Sequence, residues 1–196
     1  MTSDVAMERE GRLRAVILVE GMSDQHALEV LAARHGRRLD EEGIAIVSTG
    51  GATNIARFLA RFGPRGLDVR LAGLCDVAEE GYFRRGLERV GLGADLSLHD
   101  MEALGFYLCV DDLEDELIRA HGAASVQHVI EIHGELAAFR TMQHQPAQRG
   151  RSTEQQLRRF MGTRAGRKSR YARLLVETLD LDRIPPPLDQ VLAHHR

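Results

Sequence analysis

Lysine is almost missing from this 196-residue chain: of its 26 basic residues all but Lys168 are arginine. Cysteine is nearly as scarce. Cys75 and Cys109 each lie inside an apolar run, so they read as reduced core residues of a cytosolic protein and not as a disulfide framework. Long hydrophobic runs are absent too. The longest aliphatic stretch, Ala15 to Val19, is far short of the roughly 20 residues a membrane span needs. The opening MTSDVAMEREGRLR has no apolar h-region of a secretory signal. The expectation is a soluble, cytoplasmic chain with no membrane partner, and its composition leaves oligomeric state open.

Several chemistries lack their residues. No G-x-S-x-G occurs and neither cysteine has an obvious base beside it, which removes support for a nucleophilic hydrolase. His121, His128 and His133 lack zinc-site spacing and His194-His195 lies at the terminus, so the histidines read as solvated or helix-surface residues. The run from Gly162 to Ser169 approximates a phosphate-binding loop, but Arg167 stands where the second glycine is required and a helix, not a strand, precedes it. ATP binding is excluded. There is no internal repeat or low-complexity tract.

What is present has the pattern of an α/β domain. Strand-like runs at Arg14–Glu20, Ile44–Ser48, Val69–Cys75 and Gly105–Val110 alternate with helical spacing over 24–36, 53–62, 79–90 and 112–121. Continuous apolar strands between amphipathic helices indicate a parallel sheet covered on both faces. From Ala123 onward only helical spacing recurs, over 125–133, 135–143, 153–161, 169–179 and 188–195, with Ser152 as an N-cap. The chain therefore divides into an α/β domain over 1–122 and a helical, arginine-rich extension over 123–196 packed on it. Residues 145–151 read as a linker or mobile loop.

The net charge of −3 hides an asymmetry. Arg140 to Arg173 carries nine arginines and Lys168 against one acid, Glu154, a local balance of +9 that leaves −12 on the remainder. A solvated face paired to acids elsewhere explains this as well as contact with an anionic polymer does. Lys168 is either a chance survivor or a site that requires a compact ammonium where arginine would present a planar fork.

In an open parallel sheet, functional groups collect beyond the carboxyl ends of the strands. Glu20 closes the first run with Asp24 just after it, Asp76 closes the third, and Asp111, Asp112, Glu114 and Asp115 crowd the turn after the fourth. Carboxylates converging on one edge repel one another unless a cation sits among them, and hard oxygens suit Mg²⁺ or Mn²⁺. Helix capping and dipole compensation account for the same acids taken singly. Gly50-Gly51 is either a tight strand-to-helix turn or a point of close phosphate approach.

The segments ILVEGMSDQHALEVLA and STGGATNIARFLA, with LCD at the third strand, resemble a TOPRIM domain. The spelling EGMSD, the later DLEDEL and the GRKSRYA segment around Lys168 resemble the OLD (overcoming lysogenization defect) branch most closely. The resemblance implies a Rossmann-like core of about four mostly parallel strands, plus the C-terminal helices. It implies metal ligation by Glu20, Asp24, Asp76 and Glu114, with Glu20 and Lys168 in the catalytic set. It also implies DNA as substrate, with RNA as the alternative polymer; OLD nucleases carry an ATPase domain, and whether a separate ATPase partners this chain is left open by the sequence. Arg149, Arg151, Arg158, Arg159, Arg164, Arg167 and Arg170 then become backbone contacts. One position departs from the pattern: TOPRIM domains usually carry D-x-D, whereas here Asp76-Val77-Ala78 leaves Glu79 or Glu80 to replace the second aspartate. The functions in view are a metal-dependent DNA nuclease, a non-catalytic nucleic-acid-binding scaffold with a vestigial metal site, and a metal enzyme acting on RNA or a small phosphorylated metabolite.

Overall fold

The computed structural model describes residues 13–164 and 166–195; the start of the chain, on which the secretory-signal reading rests, lies outside them. Four strands, β1 (Ala15–Val19), β2 (Ile44–Ser48), β3 (Arg70–Asp76) and β4 (Phe106–Cys109), form one parallel sheet in the order β2-β1-β3-β4. β1 is central and buried along its whole length, as an aliphatic strand covered on both faces must be. Its alternation divides the core. Ala15, Ile17 and Val19 face one layer with Leu28 and Leu31 of α1 (Met22–Arg34). The short helix α2 (Leu39–Glu42) then leads into β2. Val16 and Leu18 face the other layer, built from α3 (Ile55–Phe62), α4 (Glu80–Arg89) and α5 (Leu98–Ala103). α2 and α5 escape the sequence reading because four and six residues are too few to establish a helical period.

Six helices complete the chain: α6 (Leu113–His121), α7 (Ala123–Ile132), α8 (Leu136–Gln143), α9 (Thr153–Met161), α10 (Arg167–Thr178) and α11 (Pro186–Ala193). Ser152 caps α9 as expected, with Gln155 completing a capping box. Phe139, Phe160, Tyr171, Leu175 and Leu188 join the same core layer as Ile17 and Leu28. Each such side chain contributes roughly 1.5–3 kcal/mol on burial, enough together to seat these helices on the sheet.

Two contacts set where α10 begins. Arg34, in the last turn of α1, donates from Nη1 to the carbonyl oxygens of Val176 (2.6 Å) and Leu179 at the far end of α10. His121 Nε2 lies 2.7 Å from the Leu175 oxygen. With the two C-terminal ends tied together, α1 and α10 run side by side in the same direction. Their N-termini therefore open together beyond the carboxyl end of β1. α1 leaves β1 toward one face and α4 leaves β3 toward the other, so a crevice opens between those two strand ends, as at any topological switch point.

Residues 145–151 join α8 to α9: Pro146–Gln148 is a 3₁₀ turn, Gln148 is buried, and Gln156 Nε2 donates to its carbonyl. Two expectations need correction. His121 is buried and tied to α10, not solvated. His195 is also buried, both ring nitrogens lacking a hydrogen-bond partner among the described residues; burial and the neighbouring His194 push it down to about 4. Cys75 and Cys109 are free and buried, as their apolar surroundings imply.

Candidate active site

Three acids, Glu20, Asp24 and Asp76, and the Lys168 ammonium line the crevice, and Glu114 reaches the same ammonium from the adjoining cleft. Glu20 follows β1 directly and its Oε1 accepts a 2.9 Å hydrogen bond from the Asp76 backbone N–H, which stitches the ends of β1 and β3. Asp24 sits in the first turn of α1 and its Oδ2 accepts from Gly21 N–H at 2.8 Å. The capping role foreseen for Asp24 is thus real, and it places the same carboxylate at the cleft. Gly50 and Gly51 have positive φ of 71° and 123°, so the pair makes the turn that only glycine adopts easily. They line the open cleft of about 450 Å³ together with Glu20, Asp24, Asp76 and Lys168.

The acids after β4 separate by role. Asp112 is the N-cap of α6, its Oδ1 accepting from Asp115 N–H at 2.9 Å. Asp115 pairs with Arg119, and Glu116 accepts from Val110 N–H and from Arg119. Glu114 has none of these roles. It is 1% exposed, its Oε1 has no hydrogen-bond partner among the described residues, and its Oε2 lies 2.8 Å from Lys168 Nζ. The lysine enters from the first turn of α10, with half of its side chain in solvent.

Burial is the main force on these carboxyls. It raises Glu20, against the Asp76 hydrogen bond and with added repulsion from Asp24 and Glu79. Asp24 is raised by burial against its Gly21 bond. Asp76 is pushed up to about 8 by burial and then by the charges of Glu20 and Asp24. Glu114 is pushed up to about 7 by burial, which outweighs the opposing pull of Lys168. For Lys168 burial acts against the charged form, but Glu114, Asp24 and Asp112 outweigh it and hold the ammonium above the usual lysine value. A desolvated carboxylate cluster is a place where added positive charge lowers the free energy.

The donor set fits a divalent cation: hard oxygens, desolvated, and one buried oxygen without a partner. Glu20, Asp24, Asp76 and Glu114 would hold it. Among the described residues, no three His, Cys, Asp or Glu side chains are arranged, as they stand, so that they could hold a metal ion. At the position of the missing second aspartate, Ala78 is exposed on a 3₁₀ turn formed by Val77–Glu79. Glu80 pairs with Arg84, while Glu79 acts electrostatically on Glu20.

The sign of the pH response follows. Between about pH 6.5 and 8.5 the folded metal-free chain releases protons from Asp76 and Glu114 that unfolded carboxyls no longer carry, so folding stability falls as pH rises. His195, held neutral in the fold, takes its toll only below that window. Thermal unfolding in chelator is expected to drop by about 2–4 °C across the window, and millimolar Mn²⁺ to cancel the drop. A metal-free melting temperature that rises with pH over this range would contradict the electrostatic reading.

The predicted basic contacts also separate. Arg149, Arg151, Arg158, Arg159, Arg164 and Arg170 are exposed. Arg167 is not: it is 6% exposed, stacked 4.0 Å from the centre of the Phe160 ring, and bonded through Nη2 to Glu135 Oε1 at 2.8 Å. Its guanidinium belongs to the core. Glu135, which the sequence did not single out, organises that corner, accepting also from Tyr171 OH.

Residues 13–77 match the family described as overcoming lysogenization defect protein-like, TOPRIM domain. The chain is similar in structure to the C-terminal region of the Xanthomonas campestris pv. campestris OLD protein: 26% identity, 93% of this chain and 91% of that one, TM-score 0.70. It is similar in fold to the C-terminal region of the Burkholderia pseudomallei OLD protein: 23% identity, 94% and 97% covered, TM-score 0.69. No curated protein matches the sequence.

Proposed function

We propose, for a chain whose residues 13–77 match the OLD-like TOPRIM family, which is usually nuclease-related, a divalent-metal-dependent phosphodiesterase that hydrolyses DNA. The observation that carries this reading is the buried Glu114 paired with Lys168 at the edge of a desolvated carboxylate cleft. TOPRIM domains generally bind divalent metals, and all-oxygen donors point to Mg²⁺ or Mn²⁺. Glu20, Asp24, Asp76 and Glu114 are its ligands in this reading, with Glu79 reaching in for the absent second aspartate. When bound, the cation supplies the charge that activates a water and stabilises the leaving oxygen.

The chain's own residues do the rest. Lys168 presents an ammonium where negative charge grows on the phosphoryl oxygens, which is the place a fixed cation lowers a barrier most. Glu114 holds that ammonium at the cleft. The exposed arginines of α9 hold the DNA backbone, which positions the substrate without reading its sequence. No helix among the described residues is long and apolar enough to cross a membrane, and the free buried cysteines suit a cytoplasmic setting.

A second reading, a non-catalytic nucleic-acid-binding scaffold, draws on Ala78 and on the lack, among the described residues, of three such side chains arranged to hold a metal ion. Plasmid cleavage with Mn²⁺ or Mg²⁺ separates the two. Wild type is expected to nick, and Glu20→Ala to fall by at least about 100-fold. Equal residual nicking in both assigns the activity to a contaminant. Absence of calorimetric heat with millimolar Mn²⁺, alongside salt-sensitive DNA affinity, favours the scaffold.

A further inference from the structure

The basic stretch does not present a uniform surface. Arg167 and Arg170 are drawn to Glu135, and Arg173 Nε is bound to Glu177 at 2.7 Å. Arg151, Arg158 and Arg159 instead line a second open cleft, of about 650 Å³, which Lys168 and Glu114 also line. Gln155 and Gly162 are on the same wall: Gln155, Arg158 and Arg159 share one face of α9, Gly162 is its C-cap, and Arg151 lies just ahead of its N-cap. The opposite face, Leu157, Phe160 and Met161, is buried. Lys168 lines both clefts, so the arginine wall continues directly from the carboxylate site. One arginine of the wall is restrained: Arg158 Nε donates to Asp112 Oδ2 at 2.8 Å, while the other oxygen of Asp112 caps α6.

We infer that this wall is a subsite for the DNA phosphates flanking the one at Lys168, and that Asp112 retains Arg158 until a backbone phosphate takes its place. The inference rests on the phosphodiesterase reading and extends it. Three guanidiniums against one partnered carboxylate leave an excess of forked donors, which match phosphate oxygens two at a time. Asp112 sets a threshold: a single phosphate must replace a formed ion pair, whereas a polyanion that also engages Arg151 and Arg159 displaces it at little cost. The cleft thereby favours a polymer over a small phosphorylated metabolite.

The test measures binding apart from cleavage, by fluorescence anisotropy of a labelled DNA duplex in chelator across a salt series. Arg158→Ala/Arg159→Ala is expected to reduce the slope of log K against log salt by about 2, close to 0.9 per lost phosphate contact, and to weaken binding at least tenfold. Arg173→Ala, in the same basic stretch but outside the cleft, is expected to match wild type. Asp112→Asn keeps an oxygen to cap α6 while releasing Arg158, and is expected to tighten binding about threefold or more. A wild-type slope in the double variant, or an equal loss in Arg173→Ala, overturns the subsite; unchanged affinity in Asp112→Asn overturns the restraint. If wild type cleaves while the slopes do not differ, the subsite fails and the nuclease reading stands. If wild type never cleaves but the slopes differ as stated, the nuclease reading fails and the phosphate subsite stands.

Discussion

Lys168→Ala is expected to lose DNA cleavage by about 10²–10³-fold and also to destabilise the fold, and Lys168→Ala/Glu114→Gln to regain the stability without the activity. Glu114 is almost wholly buried, and the ammonium at 2.8 Å is its one ion pair among the described residues. Breaking a fully buried pair typically costs about 3–5 kcal/mol. Here about 1–3 kcal/mol is expected, because half of the lysine side chain is in solvent and Glu114, already pushed up to about 7, escapes part of the penalty by taking up a proton. A neutral amide at 114 removes the stranded charge. It does not restore a cation to the phosphate. Lys168→Arg is expected to recover stability more than rate, since a planar fork cannot occupy the position of a compact ammonium. Denaturant unfolding and plasmid nicking on the four proteins check this. Nicking that returns in the double variant would reduce Lys168 to a structural partner of Glu114.

The second large effect has opposite signs in stability and function. At pH 8, Asp76→Asn is expected to raise the metal-free melting temperature by about 2–4 °C while lowering cleavage by about 10³-fold. Asp76 is held against burial and against Glu20 and Asp24, so its charge is a cost the fold carries. An amide relieves that cost and accepts the same neighbours, but it surrenders the charge that would bind the cation. Wild type is therefore expected to gain more from saturating Mn²⁺ than the variant does, by about 2–3 kcal/mol at a hundredfold excess over Kd. Differential scanning fluorimetry with and without Mn²⁺ reads both terms. A metal-free Asp76→Asn that melts below wild type would mean the acids are not straining against each other.

Much of the site is legible in the linear chain because strand termini announce themselves. A buried run such as Ala15–Val19 has to stop where a charged group can reach solvent, so Glu20 and Asp76 mark strand ends and, in a parallel sheet, those ends share one edge. The acids after β4 were ambiguous for a local reason. Asp112, Glu114 and Asp115 occupy one turn of helix, where capping, dipole compensation and ligation ask for the same residue type. Only the direction of each side chain distinguishes them: Asp112 to its cap and Arg158, Asp115 to Arg119, Glu114 inward to Lys168.

The lone lysine could be noticed in the sequence but not placed. It lies 144 residues beyond Asp24, and it reaches the cleft because Arg34 and a shared apolar layer lay α10 along α1 in the same direction. The arginines show the same limit. A count of charge assigns +9 to a segment, yet Arg167 spends its charge on Glu135 beneath the surface while Arg158 and Arg159 turn outward.

By itself the sequence determined the layering of the fold and the carboxylate edge, since both follow from apolar periodicity and from where it ends. The tertiary structure alone decided which helix face meets solvent and which ion finds which counter-ion. Those choices depend on distances between segments far apart in the chain, and charge composition carries no direction.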